Sequence, residues 1–415
     1  MPPPIAVAMD LDAVLLRVFE LGASDLHLKI GKPPMARRDG SIEPIPDTVP
    51  LTEADLRGVL EVVTSGLLER RREFDETGEL DLSYQAPLLP RFRVNAFRQR
   101  GFTSFAFRLI PRTIPSFDDL HLPPGVARLS REHHGLVLVT GATGSGKSTT
   151  LAAIVDQINA TRQQHIVTIE DPIEMLHEDR RSIVNQREIG IDTESFGQAL
   201  RRALRQDPDV ILIGELRDDE TAHTALQAAE SGHLVLSTLH TVDASETIGR
   251  LVEFFPAAKQ QMIRSIVAGV LRGVVSQRLL PRVGAGRIAA VEVMVTNDRI
   301  AELIRENKAE EIPAAIADGA FYEMRTLTQA LIELVLDGLV EGEVAANAAP
   351  NRHDFVLALE LAKKARAVAA TTPALRGHEQ QDPSLGGDAE PLHAEPDQAP
   401  LRLIRASAYE PPIAG

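Results

Sequence analysis

Apolar and polar residues follow two different patterns along this chain, and the change lies near residue 110. Before it, short segments alternate polar and apolar residues, which is typical of strands with one buried face. The strands predicted in this way are Ser24–Ile30, Glu79–Gln85, Arg91–Arg98 and Thr103–Leu109. Helical spacing predicts helices over 10–21 and 53–63, and Thr52 with Asp55 can cap the second. Residues 1–110 are therefore predicted to form a small α+β domain, followed by a proline-rich linker over 111–125.

Between residues 126 and 282 the pattern changes to short, wholly apolar runs that alternate with helical segments. Such runs are typical of strands that are buried on both faces. The predicted strands are 135–140, 165–170, 209–214 and 233–239, and the predicted helices are 147–159, 195–206, 218–231 and 243–254. Alternation of strand and helix predicts a doubly wound parallel sheet of the α/β class, with ligands at the carboxyl ends of its strands.

The last third of the chain has a different character. Residues 256–280 and 298–369 show mostly helical spacing, so a mostly helical C-terminal region is predicted over 283–370. The final 45 residues hold seven prolines and four glycines and no periodicity. Residues 371–415 are therefore predicted to be a disordered tail.

Composition narrows the class of protein. The chain has 415 residues, enough for two or three domains, and its net charge of −15 argues against a nucleic-acid partner held by bulk attraction. It contains no cysteine, which excludes disulfides and thiolate metal sites. No apolar run approaches the roughly 18 residues of a membrane span. Met1–Pro4 lacks the charged and apolar regions of a signal peptide. A cytoplasmic protein is expected.

A glycine-rich stretch between a predicted strand and a predicted helix carries the clearest chemistry. It runs Gly141, Ala142, Thr143, Gly144, Ser145, Gly146, Lys147, Ser148, Thr149 and matches the phosphate-loop pattern G-x-x-x-x-G-K-[ST]. Its glycines let backbone N–H groups approach an anion at the start of the helix. Lys147 would reach the β- and γ-phosphates of ATP, and the Ser148 hydroxyl would bind Mg²⁺.

Acidic residues end two other predicted strands at the same edge of the sheet. Residues 209–215 end in Glu215, in the form of a Walker B element that places an acid beside Mg²⁺. Gly214 stands where aspartate commonly precedes that acid. Residues 166–174 end in several carboxylates, of which Glu170 and Glu174 are candidates for a base near the γ-phosphate. Spacing does not choose between them, because Pro172 kinks the chain.

Histidines and arginines supply further candidates. His233 opens the predicted strand 233–239 and His240 follows it, where it could hydrogen-bond the γ-phosphate or serve a structural role. Four arginines lie between residues 91 and 100, and Arg108 follows on the next strand. A solvated sheet face is the ordinary interpretation of these arginines. The alternative is a set of arginine fingers that reach a neighbouring subunit's nucleotide, which requires a ring.

The motifs GATGSGKSTT, TIEDPIE, DPDVILIGELRD and GHLVLSTLHT, in this order, resemble those of the type II/IV secretion ATPases. They are most similar to those of the type IV pilus retraction, or twitching motility, ATPases, as are GASDLHLKIGKPPMARRDG and RFRVNAFRQRG. The resemblance covers residues 10 to 350. It implies an N-terminal PAS-like domain, a RecA-like P-loop ATPase domain and a homo-hexamer at the inner face of the cytoplasmic membrane. That ring would drive pilus retraction through an inner-membrane platform protein and would not bind nucleic acid.

The resemblance also implies roles for particular residues. It places Glu174 with Glu170 in an Asp box and His233 with His240 in a His box. It gives Glu215, with Ser148, to the metal, and it matches Arg93 and Arg108 to arginines that the family supplies to the nucleotide.

Two features depart from the family. Residues 299–306 keep the Leu-Ile-Arg-Glu half of the retraction signature, whereas Arg299, Ala301 and Glu302 replace its Ala, Arg and Asn, and the tail is longer. An accessory retraction paralogue and a slow nucleotide-binding regulator therefore remain alternatives. A pilus extension or type II secretion ATPase is a third, although such proteins usually carry a four-cysteine zinc module. A nucleic-acid motor is disfavoured by the charge.

Overall fold

The computed structural model describes residues 9–38, 40–86, 89–110 and 113–371. Met1–Pro4, the start of the predicted linker at residues 111 and 112, and residues 372–415 of the predicted tail lie outside the described residues. Among the helices of the described ranges, none is both long enough and apolar enough to cross a lipid bilayer.

The N-terminal domain is an antiparallel sheet packed against helices. Its strands lie in the order β3-β2-β1-β6-β5-β4. They are β1 Asp25–Leu28, β2 Met35–Arg38, β3 Ser41–Pro44, β4 Glu79–Gln85, β5 Arg91–Gln99 and β6 Phe102–Leu109, and the helices are α1 Leu11–Glu20, α2 Glu53–Val63 and α3 Leu68–Thr77. Phe92, Val94 and Phe107 are buried in the core between sheet and helices.

The predicted helices and the longer strands of this domain are confirmed. The Thr52–Asp55 capping box is present at the start of α2. The pattern did not predict β2, β3 or α3. Every residue of β3 is exposed, and α3 buries only Phe74. A segment without a buried face leaves no periodicity in the sequence, because periodicity comes from burial.

The second domain is built on a mixed sheet in the order β13-β12-β7-β11-β10-β8-β9. Its strands are β7 Gly135–Thr140, β8 His165–Glu170, β9 Ile183–Glu188, β10 Val210–Ile213, β11 Leu234–Leu239, β12 Leu271–Pro281 and β13 Arg287–Val295. Its helices are α4 Pro124–Leu129, α5 Lys147–Thr161, α6 Phe196–Ala203, α7 Asp219–Glu230, α8 Ala244–Glu253, α9 Ala257–Val270, α10 Asp298–Arg305, α11 Ile312–Ala317, α12 Leu327–Leu336, α13 Gly342–Ala348 and α14 Arg352–Thr371.

The four strands predicted from apolar runs, β7, β8, β10 and β11, are parallel and form the centre of this sheet. The prediction of a mostly helical segment over 256–280 is wrong for its second half, where β12 pairs parallel with β7 and antiparallel with β13. The β12–β13 hairpin crosses residue 282, at which the pattern ended the ATPase core. A second, smaller core packs Leu331 and Phe355 of the C-terminal helices against Leu280 and Ile288 of this hairpin.

Gly273 in β12 is a position of close approach. A Cβ there would lie 2.5 Å from the Met294 carbonyl oxygen and 2.5 Å from Leu129 Cδ2. Gly273→Ala should therefore lower the free energy of unfolding by about 1–3 kcal/mol, the usual cost of overpacking. Gly249→Ala in α8 is the matched control, because nothing lies within 4 Å of its Cβ position. Urea unfolding midpoints check this, and equal midpoints for the two variants would contradict it.

Candidate active site

The phosphate loop connects β7 to α5 and has the geometry that the motif predicts. Gly141, Gly144 and Gly146 have φ values of 140°, 79° and 91°, a region that side-chain-bearing residues rarely adopt. A Cβ on Gly141 would lie 2.4 Å from the Gln277 carbonyl oxygen. The Gln277 amide also donates to the Ser145 carbonyl at 2.6 Å. The strand β12, which the sequence pattern did not predict, therefore packs against the loop and hydrogen-bonds to it.

The ammonium of Lys147 is folded back into the loop. Its Nζ donates to the carbonyl oxygens of Gly141 at 2.7 Å and Ala142 at 3.1 Å, and it lies 3.5 Å from His240 Nδ1. Burial lowers the pKa of Lys147, and the carboxylates of Glu215 and Glu174 oppose that shift. The negative charges of these two acids therefore act on the Lys147 ammonium.

The loop opens into a cavity of about 470 Å³ at the carboxyl ends of the parallel strands. Three strands bring predicted residues to it. Glu170 ends β8 and Glu174 comes after it, Glu215 comes after β10, and His240 comes after β11. Gly144, Gly146, Lys147, Ser148 and Thr149 line the same cavity. Because parallel strands present their carboxyl ends at one edge, motifs far apart in sequence meet there.

An ion-pair network surrounds Glu215. The Arg217 guanidinium contacts its carboxylate and also lies 3.6 Å from Asp171 Oδ2. His240 Nε2 lies 3.4 Å from Glu215 Oε2, so the imidazole bridges Glu215 and Lys147. The hydrogen bond to Glu215 raises the pKa of Arg217. Arg217 was not a predicted site residue, although its place two residues after Glu215 was a visible signal.

The two candidate bases differ in their surroundings. The Glu170 carboxylate accepts hydrogen bonds from the Thr168 hydroxyl at 2.6 Å and the Gln186 amide at 3.0 Å. Burial raises its pKa, and these bonds oppose the rise. Glu174 is exposed to the cavity. Glu170 is thus tied to the sheet, whereas Glu174 faces the space that a ligand would fill.

Glu170→Gln should raise the free energy of unfolding near pH 8. Burial raises the pKa of Glu170 in the folded state, so the folded chain binds this proton more tightly than the unfolded chain. Stability then falls as pH rises from the unfolded pKa of about 4.3 through the folded pKa. Glutamine keeps an oxygen acceptor without the charge, so the variant should lose that fall. Urea unfolding at pH 5 and pH 8 checks this, with exposed Glu178→Gln as control; a fall as steep as in the parent chain would refute it.

Six predicted residues are absent from the described lining of this cavity: Gly141, Ala142 and Ser145 of the loop itself, and His233, Arg93 and Arg108. His233 precedes β11 at the opposite end of the strand, where its ring contacts Ser231 Oγ and the Ala228 carbonyl at 3.0 Å. A six-residue strand spans about 20 Å, which separates His233 from the cavity within one protomer. Arg93 and Arg108 are directly paired across β5 and β6 in the N-terminal domain, and Arg108 Nε donates to Asp25 at 2.9 Å.

The donor set at the phosphate loop fits Mg²⁺. The Ser148 hydroxyl and the Glu215 carboxylate both line the cavity and offer the oxygen ligands that Mg²⁺ prefers. Across the described part of the chain, no group of three or more histidine, aspartate or glutamate side chains is arranged to hold a metal ion. A metal at this site would therefore draw its remaining ligands from phosphate oxygens and water.

Comparison with known proteins agrees with this geometry. Residues 121–285 match the family model described as type II/IV secretion system protein. The type IV pilus retraction ATPase PilT of Pseudomonas aeruginosa is 45% identical over 347 residues, which cover 84% of this chain and 100% of that protein. A twitching motility protein of Neisseria gonorrhoeae is 44% identical, over 77% of this chain and 84% of its own length.

The fold is shared as well. A crystal structure of the pilus retraction motor PilT with bound ADP superimposes with a TM-score of 0.78. That match covers 83% of this chain and 98% of the other, at 44% sequence identity.

Proposed function

Because this chain belongs to the type II/IV secretion ATPases, and among them to the type IV pilus retraction ATPases, we propose that it hydrolyses ATP to power retraction of a type IV pilus. The observation that carries the proposal is the meeting of the phosphate loop with Glu174, Glu215 and His240 in one cavity. The chemistry of such a site is positioning of the triphosphate together with charge stabilisation.

The loop supplies the binding part of this chemistry. Its backbone N–H groups and the start of α5 face the phosphates. When a phosphate enters, Lys147 exchanges the carbonyls of Gly141 and Ala142 for phosphate oxygens, which are stronger acceptors. Ser148 and Glu215 would hold Mg²⁺, which neutralises charge on the phosphate oxygens. His240 lies between Lys147 and Glu215, so it is placed to respond to changes at either side chain.

We assign the attacking water to Glu174 rather than to Glu170. A general base must lie within hydrogen-bond reach of the water that it activates. Glu174 is exposed in the cavity, whereas the hydrogen bonds of Glu170 run to Thr168 and Gln186 of the sheet. Glu170 therefore acts as a structural anchor of the loop that carries Glu174.

We propose that Arg93 and Arg108 act in a ring of six protomers. Like charges placed directly opposite in an antiparallel pair are destabilising, and Asp25 pairs with Arg108 alone of the two, so the exposed Arg93 favours a role beyond stability. Arg91, two residues before Arg93 and on the same face of the sheet, contacts the ATPase domain. We propose that this face delivers Arg93 and Arg108 to a nucleotide in the assembled hexamer. His233 has no part in the nucleotide site of its own protomer.

Arg93→Ala and Arg108→Ala should each lower the ATPase rate by about 10³-fold or more while nucleotide binding is retained. The reason is that a finger stabilises charge that develops in the transition state. Steady-state ATPase assays and binding of a fluorescent ADP analogue to the purified ring measure the two quantities. Arg100→Ala, an exposed arginine in the turn after β5, is the control. Full activity of both variants in a hexamer would rule out the finger role.

We further propose that the ring works at the cytoplasmic face of the inner membrane on a platform protein of the pilus. A second candidate, an accessory retraction paralogue with slow turnover, is favoured by the structure of α10. Of the three residues that differ from the retraction signature, Arg299 and Glu302 are exposed and Ala301 is buried. Two of the three changes therefore lie on the exposed face of α10, where a partner would bind.

The deciding experiment is the ATPase rate as a function of protein concentration, with light scattering in parallel. Activity that rises with a hexamer-sized species supports the retraction motor. Nucleotide binding by a hexamer with slow turnover, accelerated by a second retraction ATPase, supports the accessory paralogue. Turnover by a monomer at full rate would contradict both.

A further inference from the structure

The strand β9 lies at the edge of the ATPase sheet beside the loop that carries Glu174. It pairs parallel with β8, with Glu188 opposite Glu170. Gln186 and Glu188 are two residues apart, so their side chains share one face of the sheet. Both reach the segment 171–177 that follows β8.

Gln186 makes two hydrogen bonds to this segment and a third to Glu170, which precedes it. Its amide nitrogen donates to Glu170 Oε1 at 3.0 Å and to the Met175 carbonyl at 2.9 Å, and its oxygen accepts from the His177 N–H at 2.8 Å. Both the nitrogen and the oxygen of the Gln186 amide therefore have partners, one in Glu170 before the segment and two in its second half.

Glu188 holds the middle of the same segment and also the other domain. Its buried carboxylate accepts from the Ile173 N–H at 3.1 Å. The same oxygen, Oε2, accepts from Arg91 Nη2 at 2.6 Å and from the Ser83 hydroxyl at 3.0 Å, both in the N-terminal domain. Glu188 therefore contacts the residue next to Glu174 and two strands of the N-terminal sheet.

A second contact lies beside the first. Arg70 of α3 donates from Nε to the Gly190 carbonyl at 3.2 Å, two residues after Glu188. The N-terminal domain thus holds the end of β9 from both a strand and a helix. Displacement of this domain would withdraw Arg91 and Ser83 from a carboxylate that is only 2% exposed at its side chain, and it would admit water in their place, so the hydrogen bonds that Glu188 makes would be redistributed.

We propose that Glu188 is a positioning residue that couples the placement of the N-terminal domain to the placement of Glu174. The inference rests on the proposed function, because it gives Glu174 the attacking water. With Arg91 in contact, Glu188 holds the Ile173 N–H and Glu174 stays directed at the cavity. When the N-terminal domain moves away, the same carboxylate must find another partner and the segment loses its central hydrogen bond. Hydrolysis is thereby restricted to one arrangement of the two domains.

The test compares Glu188→Gln, Arg91→Gln and the double variant in the full chain. Glu188→Gln is nearly isosteric and keeps an oxygen acceptor, so it removes the charge pair with little change in packing. Each single variant should lower kcat by about 10- to 100-fold, the usual cost of a small misplacement of reacting groups. The dissociation constant of a fluorescent ADP analogue should change less than about threefold. Exposed Glu194→Gln is the control and should match the parent chain.

The double variant decides whether the residues act through one contact. We expect its kcat to lie within about threefold of the slower single variant, because one interaction can be lost only once. A slowing equal to the product of the single effects would overturn the proposal, as would single variants with unchanged kcat or a loss of nucleotide binding that matches the loss of rate. If the parent chain shows no turnover that depends on Lys147, the proposed function fails instead.

Discussion

Lys147→Ala is expected to lower the steady-state ATPase rate by at least about 10³-fold, because it removes the cation aimed at the phosphates where charge develops. The side chain is already directed into the loop by hydrogen bonds to Gly141 and Ala142. Alanine leaves the carbonyls of Gly141 and Ala142 without this donor. It also removes the positive charge that lies near Glu215 and His240. Nucleotide affinity should fall as well.

Lys259→Ala is the matched control for this substitution. Lys259 is an exposed residue of α9, outside the described lining of the cavity. Malachite-green phosphate release measures the rate, and circular dichroism confirms that both variants fold. Phosphate release by Lys147→Ala at the rate of the Lys259→Ala protein would show that turnover does not occur at this loop.

Glu215→Gln should lower the ATPase rate by about 10²–10³-fold while the protein still binds nucleotide. The change removes the negative charge that faces both His240 and Arg217. In the proposed metal site, it would also replace a carboxylate ligand of Mg²⁺ by an amide, which is a weaker ligand for a hard cation. The released Arg217 retains a carboxylate partner in Asp171 at 3.6 Å, so the fold around the cavity should persist.

A titration with Mg²⁺ separates the metal role of Glu215 from a structural one. If Glu215 serves the metal, the Mg²⁺ concentration for half-maximal rate should rise in Glu215→Gln, and thermal stability without nucleotide should change little. Glu230→Gln, at the exposed end of α7, is the control. A lower melting temperature with an unchanged Mg²⁺ requirement would assign Glu215 to structure instead.

Burial explains which elements could be predicted from the sequence. The strands β7, β8, β10 and β11 are buried on both faces and stood out as apolar runs between turns. The strand β9 lies at the sheet edge, and its residues are exposed or half-buried except for the charged Glu188, so no apolar run marks it. In β12 the sequence LRGVVSQRLLP follows the helix α9 directly, and a short apolar run does not distinguish a strand from a helix.

The same reasoning applies to the candidate site. Lys147, Glu174, Glu215 and His240 were predicted because they end strands or begin a helix at one sheet edge, and the structure brings them together. Gln186 and Gln277 were missed because each acts from a strand that was itself missed. Arg93 and Arg108 lie in the other domain, and the sequence pattern alone does not show which nucleotide, if any, they reach.

The hairpin of β12 and β13 limits how the protein can be divided. Its nine paired positions, from Gly273 with Val295 to Pro281 with Arg287, join the strand that supports the phosphate loop to the C-terminal helices. A fragment that ended at residue 282 would expose to solvent one edge of β12 and the apolar side chain of Leu280, which packs against those helices. Such an unpaired edge invites intermolecular strand pairing. Expression of the ATPase domain alone would therefore yield aggregates unless the fragment continued through β13 and the helices that cover it.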